Sequence, residues 1–342
     1  MLKVLSFLLI IIQMEGIMKV LFIGGTGVIS SACSDLAVAT GITLYHLNRG
    51  RSHRKIDGVN QITGDIRNKQ EVQNILKSYT FDAVVNWICF TPEHLQTDLE
   101  VFRGKTGQYV FISSASAYQK PPQQLPITEA TPLENPFWQY SRDKIACEKI
   151  LMDEYQKNNF PATIVRPSHT YDQTLLPFDW GYTVLDRIKK GKPVIIHGDG
   201  TSLWTLTHHR DFAKGFVGLL GNQKVLGEAF HITSDELLPW NNIYELIARE
   251  LGIPLNPVHI PSDYIAKIDP RMEGSLLGDK AHSMIFDNSK IKRFVPEYQA
   301  KINFAEGVKE IIKWYENHPD WQLTDPATDK LIEEILQKYG GE

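Results

Sequence analysis

Cysteine is nearly absent: Cys33, Cys89 and Cys147 are the only three in 342 residues, odd in number and far apart. Such spacings build neither a disulfide framework nor a zinc site, so reduced thiols in a cytoplasmic setting are expected, and no metal. Charge of either sign is not in excess, with 36 Lys and Arg against 40 Asp and Glu for a net −4. That balance lacks the basic footprint of a nucleic-acid binder and does not suggest such a partner. No apolar run reaches the roughly 20 residues that cross a bilayer, so no membrane span is expected. The longest run, Val4 to Ile12 after Lys3, imitates a signal peptide but lacks a small-residue cleavage site. Residues 1–17 are read as a leader or a misplaced start, with Met18 opening the fold. A dispensable or membrane-touching extension and true secretion are the alternatives.

What the chain does have is rhythm. Short apolar runs alternate with helical stretches: KVLFIG (19–24), ITLYHL (42–47), FDAVVNWI (81–88), YVFISS (109–114), PATIVRP (161–167), PVIIHG (193–198) and EAFHIT (228–233), with NQIT (60–63) a weaker strand. Helices are expected near 28–40, 68–78, 93–105, 140–157, 181–190 and 210–220, the last capped by Asp211. The alternation predicts an α/β fold, a doubly wound parallel sheet of Rossmann type covered on both faces. Beyond about Leu175 prolines shorten the segments. This division places a dinucleotide-binding domain at 18–176 plus about 206–234, and a smaller, interleaved C-terminal substrate domain at about 177–205 plus 235–320. A C-terminal helix is expected within 321–342.

The first strand runs into GGTGVISSA, a GxxGxxG-type loop in which Gly24, Gly27 and Ser30 hold the three small positions. Such a loop, placed after a strand and before a helix, cradles a pyrophosphate, and Val28 and Ile29 of the helix's first turn are assigned to the cofactor with it. The second strand ends HLNRGRSHRK. Asn48 stands where an NAD enzyme usually carries an acid, and Arg49 follows at once, with Arg51 and Arg54 beyond. The pattern leans to the 2′-phosphate of NADP, with NAD the alternative. Asp65 and Ile66, at the end of the third strand, complete the adenine side.

In YSRDK, Tyr140 and Lys144 stand four apart and share one helix face. Taken in order, GGTGVIS, GDIRN, FISSASAY, YSRDK, IVRPSHTY, GKPVIIHGDG and HHRDFA resemble the extended short-chain dehydrogenase/reductases, the NAD-dependent epimerase/dehydratase family, from Met18 to about His318. The resemblance implies that Tyr140 is the acid/base moving a proton on a substrate oxygen while a hydride passes to or from nicotinamide. Lys144 would favour the phenolate and bind the nicotinamide ribose, and Ser114 would hydrogen-bond the reacting oxygen, with Ser113 its alternate by one register. A small-molecule substrate and a homodimer are implied as well.

The departures narrow the chemistry. The Asp-Glu pair of the family's dehydratases is replaced by Ala115 and Ser116, which argues against dehydration. Trp204 occupies the place of the arginine that grips a nucleotide-sugar diphosphate, and His169 that of a substrate-contacting asparagine. Ser116, His169 and Trp204 are the candidate substrate contacts, and Trp138 just precedes the tyrosine. The expected function is an NAD(P)-dependent oxidoreductase or epimerase acting at a carbinol or ketone of a sugar-like or small polar substrate. The rivals are a nucleotide-sugar epimerase with retained NAD, and a non-catalytic dinucleotide sensor or RNA-associated protein.

Overall fold

The structure is a computed structural model that describes residues 17–341 except His53; the leader reading thus falls outside the described residues but for Ile17. Its centre is a parallel sheet of β1 (Lys19–Ile23), β2 (Thr43–Asn48), β3 (Asn60–Thr63), β4 (Ala83–Asn86), β5 (Tyr109–Ile112), β6 (Ala162–Pro167) and the strand Ala229–Ile232. From one edge to the other the order is Ala229–Ile232, β6, β5, β4, β1, β2, β3. The expected doubly wound α/β architecture is present.

Both faces are buried because apolar side chains fill both phases of the strand repeat. Along β1, Val20 and Phe22 enter one core with the helices Val28–Ala39 and His209–Val217. Leu21 and Ile23 enter the other, with Pro92–Phe102 and Gln139–Asn158. The edge strand β3 carries one buried residue, Ile62, which is why its sequence signal is weak. One apolar run leaves the sheet. Val194–His197 pairs with Pro257–Ile260, because the place beside β6 is taken by Ala229–Ile232. A third core gathers Ile195, Trp204, Trp240, Ile260 and Phe304.

The helix His209–Val217 begins earlier than its sequence suggests. His208 is its cap, with Nδ1 accepting from the Arg210 backbone at 3.3 Å. Asp211 lies instead in the first turn, where its carboxylate accepts from Lys214 at 2.6 Å and from the Ile302 backbone at 2.7 Å. Among the described residues no helix is long and apolar enough to cross a membrane, and all three cysteines are buried free thiols.

The strand order reverses between β1 and β4, so the segments leaving their C-terminal ends diverge and open a crevice. Two buried histidines, His46 on β2 and His197 packed against Trp240 away from the main sheet, make stability pH-dependent. Burial lowers His46 and His197 from the ordinary value of 6.5 to about 4. Their stabilisation is complete above pH 6.5, where folded and unfolded chains both leave them neutral, and is lost as pH falls through 4. The size is about 3 kcal/mol for each. Urea midpoints should therefore fall steeply between pH 6.5 and 4; an unchanged midpoint at pH 4.5 contradicts this.

Candidate active site

The glycine loop turns tightly. Gly24 and Gly25 both have positive φ, +98° and +95°, and the Gly24 amide donates to the Leu47 carbonyl at 3.1 Å. A Cβ at Gly25 would lie 2.5 Å from His46 Nε2, so this third glycine, which the fingerprint spacing does not mark, is the one of the pair that packing as well as φ requires. Ser30 is more than a small residue: its Oγ accepts from the Gly27 amide at 2.8 Å and squares off the helix start. The helix N-terminus with Val28 and Ile29 then faces a cleft of about 490 Å³, walled further on by Trp87, Ile88, Phe90, Ser113, Tyr140 and Lys144. Trp87 and Ile88 are free to do so because β4 stops at Asn86, whose side-chain oxygen accepts from the Ile88 amide at 2.9 Å.

The cleft continues toward β2 and β3 into a hollow of about 320 Å³ lined by Asn48, Arg49, Arg51, Asp65 and Ile66. Asn48 is engaged on both ends, giving to Gln61 at 3.0 Å and accepting from the Gly50 amide at 2.9 Å. Arg49 and Asp65 approach only to 3.9 Å and both are exposed, a contact worth little, so Arg49 remains available. Arg54 does not join it. Its guanidinium bonds Ser31 at 2.6 Å and the buried Asp172 carboxylate at 3.0 Å, a corrected placement that takes it off the 2′-phosphate side.

At the other end stand the tyrosine and lysine. Lys144 is buried, donating to the carbonyls of Cys89 at 2.6 Å and Ile112 at 2.7 Å, which leaves one of its three protons for the cleft. Its Nζ lies 5.6 Å from the centre of the Tyr140 ring. Burial lowers its pKa to about 8. Burial raises the Tyr140 phenol, with a hydrogen bond from Ser114 working against the rise and the Asp279 carboxylate adding to it. The consecutive serines at the end of β5 face different spaces. Ser113 lines the cleft beside the glycine loop, where its buried Oγ has no partner among the described residues. Ser114 lines a separate cavity of about 290 Å³ that it shares with Trp138, Tyr140, His169, Asp279 and Lys280.

Two expected substrate contacts lie behind this cavity and not on it. The Ser116 hydroxyl is buried between Ser114, at 2.9 Å, and Ser141, at 2.7 Å, so it holds the Ser114 side chain in place. Trp204 is 1% exposed and packs on His169 and Trp240 at 6.4 and 5.5 Å between ring centres. It backs the histidine that does face the cavity. Asp279 and Lys280 carry no motif and escaped the sequence reading; they reach the site through the C-terminal segment. The glycine cradle, the orphan Ser113 hydroxyl and the spare lysine proton together suit a nicotinamide dinucleotide lying along the cleft.

A family model described as the NAD dependent epimerase/dehydratase family matches residues 20–233. The 2′-dehydrokanamycin reductase of Streptomyces kanamyceticus is 25% identical over 309 residues, 88% of this chain and 85% of that protein. The chloroplast stem-loop binding protein of 41 kDa b from Arabidopsis thaliana is 24% identical over 328 residues, covering 91% and 78%. Among solved structures, the UDP-glucose 4-epimerase of Bifidobacterium longum in complex with NAD+ and UDP superposes with a TM-score of 0.70 at 18% identity, over 88% of this chain and 99% of that one.

Proposed function

The chain belongs to the NAD dependent epimerase/dehydratase family, and on that premise we propose that it is an NADP-dependent reductase of a ketone on a sugar-like, small polar substrate. The observation that carries this reading is the position of Tyr140, on the wall of both the dinucleotide cleft and the cavity beyond it, with Ser114 on one side and Lys144 on the other. A nicotinamide dinucleotide, when bound, supplies the hydride. Tyr140 then gives its phenolic proton to the substrate oxygen, Ser114 hydrogen-bonds that same oxygen, and the Lys144 charge stabilises the phenolate left behind. A phenol raised by burial is fully protonated at neutral pH, which suits an acid more than a base. Ala115 and Ser116 offer no carboxylates for dehydration.

The cofactor preference rests on Arg49 at the mouth of the adenine hollow and on Asn48, neutral and already engaged. The test is to denature the purified protein, identify any released nucleotide by mass spectrometry, and titrate the emptied or empty protein with NADPH and NADH. The expected result is an empty protein that binds NADPH about tenfold tighter or more, and an Arg49→Glu variant in which that preference collapses. Stoichiometric retained NAD would replace this reading with an epimerase cycle. Salt-sensitive RNA retention on filters, with no ketone reduced, would favour the RNA-associated rival.

A further inference from the structure

The cavity in front of Tyr140 has a charge pattern that bears on what enters it. Its far wall is the segment Leu276–Lys280, wound as a wider turn in which the Ala281 amide bonds back to the Leu276 carbonyl at 2.9 Å. Such π-type turns are rare and recur at functional sites. Here the turn sets two successive charged residues, Asp279 and Lys280, on the same cavity.

Each is paired, and the two pairs have the same polarity. Lys120 Nζ meets Asp279 Oδ1 at 3.0 Å, with the lysine side chain 0% exposed and the aspartate 17%. Lys280 Nζ meets Asp179 Oδ1 at 3.0 Å, with exposures of 9% and 25%. In both pairs the ammonium is inside and the carboxylate faces outward. Both charges on the wall are thus paired, Lys280 with Asp179 and Asp279 with Lys120, and the more exposed of the two beside Tyr140 is the Asp279 carboxylate.

Ser114 and Ser168 also line the wall, and the other polar group there is His169. Burial and the nearby Lys280 charge lower its pKa to about 3, so it is a neutral imidazole, and its buried Nε2 has no partner among the described residues. That atom is closed off from the cavity, so the groups left to bond a ligand hydroxyl are those of Ser114 and Ser168. Trp138, 5.2 Å from the Tyr140 ring, supplies an aromatic wall that accepts either the apolar face of a saturated ring or a cation. A volume of about 290 Å³ is at the small end of ligand pockets, which run from about 300 to 1,000 Å³, and suits one ring more than a nucleotide sugar.

We propose that this cavity selects a hydroxylated ring compound bearing an ammonium group and no phosphate, with Asp279 receiving the ammonium. The inference rests on Tyr140 marking the reacting end of the cavity. A phosphate would find no unpaired cation there and would face Asp279, whereas an ammonium gains a charge-assisted hydrogen bond beside the lysine-held carboxylate.

The experiment is equilibrium binding, measured by NMR titration at pH 7 with NADP+ present, of three probes of like size: D-glucosamine, D-glucose and D-glucose 6-phosphate. Glucosamine is expected to bind about tenfold tighter than glucose, with the phosphate weakest. Asp279→Asn should bring the glucosamine-to-glucose ratio to near one. Because that variant leaves Lys120 buried without its counter-charge, the double variant Lys120→Met/Asp279→Asn, which removes both charges, carries the same test if the single one fails to fold. Equal binding of glucosamine and glucose by the parent protein, or preference for the phosphate, overturns the proposal whatever the variants do. The readout needs no turnover. An ammonium preference that survives while Tyr140→Phe retains full activity removes the catalytic reading and keeps the site; an inactive Tyr140→Phe with no ammonium preference does the reverse.

Discussion

Replacing Tyr140 by phenylalanine is expected to lower kcat by about 10³-fold while NADPH binding stays within about a factor of two. The hydroxyl is the only atom lost. The ring keeps its packing on Trp138 at 5.2 Å, and Lys144 keeps both carbonyl bonds, so neither fold nor cleft has reason to change. Stopped-flow reduction of a ketone substrate under single-turnover conditions, paired with a fluorescence titration of NADPH, separates the two quantities; retained turnover would remove Tyr140 from the chemistry. The pH profile carries a second signature. Lys144 is charged below about pH 8 and neutral above it. In the proposed mechanism its charge stabilises the phenolate formed as the substrate oxygen takes its proton, so the reduction rate should hold through neutral pH and fall as pH rises through 8. Lys144→Arg, which keeps its charge, should push that fall to higher pH. Lys144→Met behaves differently from Tyr140→Phe. It strands the Cys89 and Ile112 carbonyls and costs stability by about 1–3 kcal/mol for each, readable as a lower urea midpoint.

The residues that reached the site by local sequence logic were legible, and those that reached it from a distance were not. The glycine loop, Asn48, Arg49, Asp65 and Ser114 follow the C-terminal ends of strands, and Tyr140 and Lys144 stand in the first two turns of a helix; periodicity marks such places, while the roles of Ser114, Tyr140 and Lys144 are what the family resemblance implies. The cavity wall is another matter. Asp279 lies 139 residues beyond Tyr140 in sequence, on an irregular turn whose hydrogen bonding no propensity encodes, and its partner Lys120 stands in a loop. Trp204 and Ser116 were placed on the cavity by alignment position, which gives a neighbourhood but not a side-chain direction. Trp204 has an apolar cluster to fill and turns into it, and Ser116 is captured by two neighbouring hydroxyls. Arg54 was read as a loop charge like Arg49, but a buried carboxylate that only the fold brings near, Asp172, claims it.

The largest structural effect should come from Gly25→Ala, a position the fingerprint spacing does not single out. Two costs combine there. A φ of +95° charges any side chain about 1–2 kcal/mol, and the added Cβ would sit 2.5, 2.6 and 2.8 Å from His46 Nε2, Cε1 and Cδ2. The imidazole has nowhere to retreat. It is fully buried, held by the Ser34 hydroxyl at 2.9 Å and stacked near the Phe22 ring at 6.0 Å. A loss of about 3–5 kcal/mol is expected, a large share of the roughly 5–15 kcal/mol that keeps a protein folded. His46→Ala opens the space, so the double variant Gly25→Ala/His46→Ala should be more stable than the sum of the two losses, leaving the backbone cost alone as the effect of the glycine. Additive losses would mean that the clash is not what Gly25 avoids. Gly27→Ala is the contrasting case. Its φ of −81° suits any residue, and its added Cβ would meet only the Ser30 hydroxyl, at 3.4 Å. The protein should keep its urea midpoint and bind NADPH at least about tenfold more weakly, because the new methyl group occupies the approach of the pyrophosphate to the helix N-terminus. One glycine is then required by the chain's own packing and the other by the ligand, and the pair of midpoints and affinities distinguishes them.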